Sequence, residues 1–230
     1  MKVRPMIFNT EMVKAILEGE KTVTRRPAKN LSFSDRVGFV VGEWAYGIGF
    51  DLRETMNNCI KSKSAKCPAQ VGDLIYVRET LHGLYAIQPE SDHYEFSKRL
   101  TRDVRYVADG GDLPKTTLHC KSWKSVPSIH MPRWASRLTL KVTDVRIERL
   151  QEITEDQCWK EGIESTIGKF DIFQLSEMAK KFGGTFEDAK SSFACLWDSI
   201  YKNWDENPYV WVIEFEVIHQ NVDKYLSSLD

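Results

Sequence analysis

The sequence predicts an α+β protein, built as a small, mostly antiparallel β-barrel flanked by helices, with two irregular insertions. Alternating apolar and polar residues predict five or six short strands, and segments with helical periodicity separate them. Strands this short favour a small barrel over a large open sheet. A length of 230 residues, 42% hydrophobic and 28% charged, is sufficient for a globular domain with its own core.

The chain begins with a predicted strand, helix and strand. The apolar run from Pro5 to Asn9 predicts the first strand, and the hydroxyl of Thr10 is suited to cap the helix. The helix ends at Gly19, because glycine readily adopts the left-handed conformation that terminates many helices. The β-prone run from Thr22 to Arg26 predicts the next strand. The apolar face of the helix comprises Met12, Val13, Ile16 and Leu17.

Two segments of irregular composition interrupt this pattern. The first, at about 30–70, is rich in glycine, serine and asparagine, and it predicts one hairpin near 37–50. The second, at about 81–132, contains a predicted strand near 104–107. The strand from Leu74 to Arg78 lies between them. We therefore expect one domain over 1–218 that carries both insertions, followed by a C-terminal tail over 219–230.

Two long strands are predicted in the second half of the chain. The apolar alternation over 138–142 resumes out of phase at Val145 and Ile147, which predicts a β-bulge near Thr143 and Asp144. The strand over 209–218 is predicted to alternate as well. One of its faces comprises Trp211, Ile213, Phe215 and Val217, and the other comprises Val210, Val212, Glu214 and Glu216.

Two helices are predicted between these strands. A capping-box pattern begins the first at Thr154, and Gly162 ends it. The second carries an apolar stripe over 186–200, which is typical of a helix that packs against the core.

Charge and motifs exclude several classes of function. The net charge of −1 gives no overall attraction to nucleic acid, so such binding requires a local basic cluster. No apolar window approaches the length of about 20 residues that a membrane helix needs, and the amino terminus lacks a signal-peptide core. We expect a cytoplasmic protein that does not bind membranes. The sequence contains no P-loop, dinucleotide fingerprint or catalytic-triad pattern.

The five cysteines are scattered and odd in number, which is typical of a reducing compartment rather than a disulfide framework. A zinc site assembled from Cys59, Cys67, His119 and Cys120 is an alternative, but these spacings match no usual ligand pattern. We expect no metal and no cofactor.

The segment from Gly19 to Arg26 has the highest density of side chains that could take part in a reaction. If burial and the neighbouring Arg25 and Arg26 lower the pKa of Lys21, this lysine can accept the Thr24 proton and turn the hydroxyl into a nucleophile toward an amide carbonyl. The alternative is structural: Lys21 complements a helix C-terminus, and the arginines form a solvated edge.

Glu161 falls at the end of a predicted helix, where a carboxylate is mildly unfavourable and a cationic partner is expected. Lys21 is the candidate partner, and an exposed, tolerated glutamate is the alternative. A further cluster contains Arg133, Trp134 and Arg137, which suit phosphate contacts and base stacking. Alternatively, Trp134 fills one end of the barrel.

Several of these motifs together resemble the longer ASCH-domain proteins that bacteriophages and prophages often encode. The resemblance is carried by residues 5–9, 19–26, 67–68, 72–73, 77–80, 131–137 and 207–215. It implies a PUA-like fold, and the family's signature falls on Gly19, Lys21 and Arg26. The family takes its name from suspected RNA-binding coactivators.

Short members of that family are amidohydrolases that remove the acetyl group from N4-acetylcytidine. The resemblance implies that Lys21, Thr24 and Glu161 carry this reaction here, and Glu79 is a credible substitute for Glu161. A non-catalytic module that binds RNA or a modified base is the alternative, and a ribonuclease or a structural phage protein are others. The binding residues would be Arg25, Arg26, Glu79, Arg133, Trp134 and Arg137.

Overall fold

The computed structural model describes residues 1–29, 31–34, 36, 38–41, 51, 53–54, 57–58, 67–87, 98–115, 120–166 and 168–229. The strands are β1 (Val3–Ile7), β2 (Val23–Pro27), β3 (Leu31–Ser34), β4 (Gly38–Val41), β5 (Leu74–Arg78), β6 (Leu81–Ile87), β7 (Lys98–Tyr106), β8 (Lys121–Val126), β9 (Thr139–Arg149) and β10 (Tyr209–Ile218). The α-helices are α1 (Thr10–Leu17), α2 (Glu155–Lys160), α3 (Ile172–Lys180), α4 (Ala189–Tyr201) and α5 (Val222–Ser227). The predicted α+β class is confirmed.

The main sheet has the strand order β1-β5-β9-β10-β2. Its β1–β5 pair is parallel, whereas the other three pairs are antiparallel. The predicted closure into a barrel is not observed in the described residues, where β1 and β2 are free edges of this sheet. A side chain joins them instead, because Arg26 on β2 donates to the carbonyl oxygen of Ile7 on β1 at 2.8 Å and lies over the Phe8 ring.

Strand β10 separates two apolar cores, as its alternating pattern predicts. Trp211, Ile213 and Phe215 face a core that includes α1, whereas Val210 and Val212 face a core that includes α2 and α4. The predicted bulge is also confirmed. Glu214 pairs with Asp144 and Phe215 pairs with Val142, so that Thr143 is the extra residue on β9.

Helix α1 begins one residue away from its predicted cap. Asn9 is the N-cap, and its side-chain oxygen accepts a hydrogen bond from the Met12 amide at 2.8 Å, whereas Thr10 is the first helical residue. Both residue types cap helices well, but the extended backbone of Asn9 directs its side chain toward the free amides. The left-handed backbone of Gly19 follows the helix as predicted, with φ of +81°.

The later helices agree with their predicted signals in part. Thr154 and Gln157 form the predicted capping box of α2. The predicted helix over 186–200 corresponds to α4. Helix α3 is not predicted by periodicity, although Asp171 and Gln174 form a second capping box at its start. Exposed apolar residues on α3, such as Phe173, obscure an inward-facing stripe.

The regions interpreted as insertions contain sheets of their own. The hairpin predicted near 37–50 lies mostly outside the described residues, and β3 and β4 form the described hairpin. Strands β6, β7 and β8 form an antiparallel sheet of order β7-β6-β8. The segment predicted as a tail contains α5, and Asn221 holds it through hydrogen bonds to backbone carbonyls at 133, 134 and 136. None of the helices that the structure describes combines the length and apolar character needed to cross a bilayer.

Candidate functional site

Lys21 and Glu161 form a buried pair where the chain leaves α1. The two residues pair through an isolated antiparallel β-bridge, and the Thr22 amide donates to the Lys160 carbonyl at 3.0 Å. The Lys21 Nζ donates to the Glu161 Oε2 at 2.7 Å and to the Glu161 backbone oxygen at 2.7 Å. Lys21 is 0% exposed and Glu161 is 4% exposed, so this ion pair lies inside the protein.

Gly162 allows this close approach. Its φ is +75°, and a Cβ atom at this position would lie 2.6 Å from the Ala15 Cβ and 2.9 Å from the Lys21 Cβ. Any other residue would therefore clash with α1 and with Lys21 and would also adopt a strained backbone. The glycine that ends α2 thus sets the position of Glu161 against the chain leaving α1.

Arg25 holds the opposite side of the same carboxylate. Its Nη1 donates to the Glu161 Oε1 at 3.1 Å, and its Nη2 donates to the Glu148 Oε2 at 3.0 Å and to the Gln157 Oε1 at 2.9 Å. Gln157 is also the residue that closes the capping box of α2. The carboxylate of Glu161 is therefore fixed by two cations, one on each oxygen.

Thr24 is 1% exposed and borders a small cavity that Glu161 also lines. The cavity has a volume of about 20 Å³, which is room for about one water molecule. The polar lining residues are Thr24, Arg25, Arg26 and Glu161. The other lining residues are apolar or aromatic: Met12 of α1, and Phe193, Leu196, Trp197, Ile200 and Tyr201 of α4. Helix α4 therefore covers the site.

The environment of Lys21 lowers its pKa below the ordinary value for lysine. Burial is the largest cause, and the positive charges of Arg26 and Arg25 act in the same direction. The charge and hydrogen bond of Glu161 oppose this effect without cancelling it. Lys21 therefore loses its proton at a lower pH than an exposed lysine, which suits a proton acceptor.

Glu79 lies in a second buried ion pair rather than beside Lys21. The Nε and Nη2 of Arg137 donate to its two oxygens at 2.9 and 3.0 Å, and the Arg137 Nη1 donates to Asp109 at 2.6 Å. The guanidinium carbon of Arg137 lies 4.0 Å from the centroid of the Tyr106 ring. Burial raises the pKa of Glu79, and Arg137 opposes the rise. The structure thus places Glu161, not Glu79, against Lys21.

Arg133 and Trp134 are also placed away from Lys21. Arg133 forms an exposed ion pair of 2.5 Å with Asp223 on α5. The Trp134 ring lies 4.4 Å from the guanidinium carbon of Arg102 on β7. The residues expected to bind RNA are therefore divided between two places: Arg25 and Arg26 border the cavity at Glu161, whereas the cluster over 133–137 lies against α5 and the β6–β8 sheet.

Several residues that shape this site are not predicted from the sequence. Gln157 precedes Glu161 by four residues, so helical spacing is a signal that both face Arg25. Glu148 carries no such signal, because sheet pairing alone brings it to Arg25. The apolar stripe of α4 is predicted as core, and the structure shows that part of it, including Phe193 and Trp197, also lines the cavity.

No group of three or more histidine, cysteine, aspartate or glutamate side chains able to hold a metal occurs in the described ranges. Two of the zinc ligands considered as an alternative, Cys59 and His119, lie outside those ranges.

No protein-family model, no curated protein and no solved structure matches the chain. The ASCH resemblance therefore stays a prediction, and the geometry of the Lys21 site is the basis for the function proposed below.

Proposed function

We propose that this protein hydrolyses the amide bond of N4-acylated cytidine, using Lys21, Thr24 and Glu161. The observation that carries the proposal is the buried lysine–carboxylate pair, with the Lys21 Nζ 2.7 Å from the Glu161 Oε2, and the small cavity that Glu161 and Thr24 both border. Lys21 and Thr24 are three residues apart in the chain, and a lysine with a lowered pKa is a base that can activate a hydroxyl. The resemblance to ASCH-domain enzymes supplies the substrate class, and the main sheet is proposed as an open relative of the PUA-like barrel.

The first half-reaction transfers the acyl group to Thr24. Neutral Lys21 Nζ accepts the hydroxyl proton while Thr24 Oγ attacks the acyl carbonyl carbon. Arg26, which borders the cavity, stabilises the developing oxyanion. The bond from the carbonyl carbon to cytosine N4 breaks, Lys21 returns the proton to N4, and cytidine leaves.

The second half-reaction restores the enzyme. A water molecule gives a proton to Lys21 and attacks the ester carbon on Thr24. The ester bond breaks, the Thr24 oxygen regains a proton, and the carboxylic acid is released. Throughout, Glu161 orients the Lys21 Nζ, while Arg25 holds Glu161 in place.

Substrate entry requires α4 to move. A cavity of about 20 Å³ does not accommodate a nucleoside, and the cover consists of side chains from Phe193 to Tyr201. Removal of this cover opens the polar side of the cavity to an acylated base, with the aromatic residues of α4 available for stacking on it.

The direct test is to incubate the protein with N4-acetylcytidine and to measure cytidine release by chromatography. Thr24→Val removes the nucleophile while keeping the side-chain shape, and Lys21→Met removes the amine. We expect each variant to lower kcat/KM by roughly 10²- to 10⁴-fold, the usual contribution of a positioned acid–base group, or more. Thr143→Val, at the exposed bulge of β9, is the matched control and should retain full activity.

Thermal melting of each variant separates loss of chemistry from loss of folding. A folded wild-type protein that releases no cytidine contradicts the proposal. Activity that survives in Thr24→Val also contradicts it, because a different nucleophile would then be required. An inert protein that binds RNA through Arg25 and Arg26 would favour the non-catalytic alternative.

A further inference from the structure

The β6–β8 sheet concentrates positive charge in a chain that is nearly neutral. Strands β7 and β8 together contain six lysines and arginines and one aspartate. Their net charge is therefore +5, against −1 for the whole chain. A local field of this kind attracts polyanions even when the total charge does not.

The strand register places three of these six cations, Arg99, Arg105 and Lys121, on one face of the sheet. Leu81, Tyr106 and Val126 lie opposite one another and point toward an apolar cluster with Met131 and Ala135. Paired residues share a face, and successive residues alternate between faces. The other, outer face therefore carries His82, Leu84, Ala86, Arg99, Arg105, Lys121, Trp123 and Ser125.

The outer face combines cations with a flat aromatic ring. Arg99, Arg105 and Lys121 are exposed, and Trp123 is half-buried. The Arg105 guanidinium carbon lies 5.4 Å from the centroid of the Trp123 ring. Within the described part of the chain, none of the three cations forms an ion pair with a carboxylate, in contrast to Arg25 and Arg137. All three are exposed, so an anion in solution can reach them.

We propose that this outer face binds single-stranded nucleic acid, with Trp123 stacking on a base and Arg99, Arg105 and Lys121 contacting phosphates. Every base of a single strand presents an aromatic face, and the backbone of the strand presents phosphate anions at regular intervals. This ligand therefore matches both the aromatic ring and the cations of the outer face. An acidic peptide supplies anions without the stacking surface. The Trp123 side chain is half-buried, whereas insertion into a membrane uses protruding apolar side chains.

This site is separate from the cavity that Thr24 and Glu161 border, and it does not require the proposed hydrolase activity. Its residues lie on β6, β7 and β8, whereas the cavity is bordered by α1, β2, α4 and the end of α2. Hydrolysis of the free nucleoside and binding of an oligonucleotide are therefore measured independently, and either proposal can fail alone.

The test is fluorescence anisotropy with labelled oligouridine RNA and oligothymidine DNA over a series of salt concentrations. Three phosphate contacts predict a slope of log Kobs against log salt of about −2, from roughly 0.7 per contact on a single strand. Arg99→Ala combined with Arg105→Ala should weaken binding and reduce the slope to about −0.7. Comparison of the two oligonucleotides distinguishes RNA from DNA as the preferred ligand.

The role of Trp123 is tested by substitution. Trp123→Ala should weaken binding by about 5- to 150-fold, the usual effect of removing one stacked base, while Trp123→Tyr should retain most of the affinity. Lys180→Ala combined with Lys181→Ala is the matched control, because it removes two exposed cations from the end of α3. This control should leave both the affinity and the salt slope unchanged.

Several results would overturn the proposal. One is a wild-type protein that binds neither oligonucleotide, and another is an equal loss of affinity in the Lys180 and Lys181 control. Tighter binding to an acidic peptide or to phosphatidylserine vesicles would assign the face to another partner. Full affinity in the folded double arginine variant would exclude this face even if Trp123→Ala does not fold. Thr24→Val should bind oligonucleotides normally, whatever its activity on the nucleoside.

Discussion

Two buried glutamates, Glu161 and Glu79, are held by cations in different ways. Glu161 accepts hydrogen bonds from Lys21 and Arg25 and borders a cavity, whereas both oxygens of Glu79 accept hydrogen bonds from one residue, Arg137, through its Nε and Nη2. Arginine stays protonated in proteins, but a buried lysine changes its protonation state readily. The difference teaches that burial of an ion pair does not by itself identify a catalytic site. The cation must be able to release a proton next to a group that uses it.

The largest effect on stability should come from breaking the pair at Glu161. Glu161→Leu keeps a similar volume but leaves Lys21, which is 0% exposed, without a carboxylate. Loss of one partner from a buried ion pair costs about 3–5 kcal/mol in the free energy of unfolding. Urea denaturation measures this cost, and Glu206→Leu is the exposed control. A cost below that of the control would contradict the ion-pair interpretation.

Substitution of Glu79 should lower the free energy of unfolding by a smaller amount. Glu79→Leu leaves Arg137 with Asp109 as partner, and the Arg137 side chain is 23% exposed, so that water solvates part of the guanidinium. We expect a cost of about 1–3 kcal/mol, typical of one unsatisfied polar group. The same urea experiment applies. A larger cost for Glu79→Leu than for Glu161→Leu would reverse the order that the two environments predict.

The smallest of these effects on stability should come from Arg137→Lys. An ammonium cannot reproduce the two parallel hydrogen bonds to Glu79, so we expect a loss of about 1 kcal/mol. Hydrolysis of N4-acetylcytidine should be unchanged, because Arg137 does not border the cavity. A large loss of activity with intact folding would move the proposed site toward Glu79.

The sequence predicts well those structural features that depend on residues close together in the chain. The two faces of β10, the bulge at Thr143 and the capping box at Thr154 each follow from local patterns, and the structure contains all three. The cap of α1 differs by one residue, because Asn9 and Thr10 are both suitable. Closure of the sheet depends instead on whether distant edges pair, and here Arg26 bridges them through its side chain.

The contacts of the candidate site also divide into those that local sequence patterns predict and those between distant residues. The unfavourable position of Glu161 at a helix end is a local signal for a cationic partner, and the structure places Lys21 there. The bond from Arg25 to Glu148 joins residues 123 positions apart, and the cover by α4 depends on helix packing. No local pattern predicts either contact, so the sequence predicts neither the second cation on Glu161 nor the cover by α4.

The pH dependence of kcat/KM for N4-acetylcytidine tests the central claim most directly, because Lys21 must be neutral to accept the Thr24 proton. Activity should rise with pH, at values below the ordinary lysine pKa of about 10.4, since burial lowers the pKa of Lys21. Glu161 favours the protonated lysine, so Glu161→Gln should lower that pKa further and move the rise to lower pH. If kcat/KM of Glu161→Gln rises at the same pH as in the wild-type protein, or at a higher pH, Lys21 is not the proton acceptor.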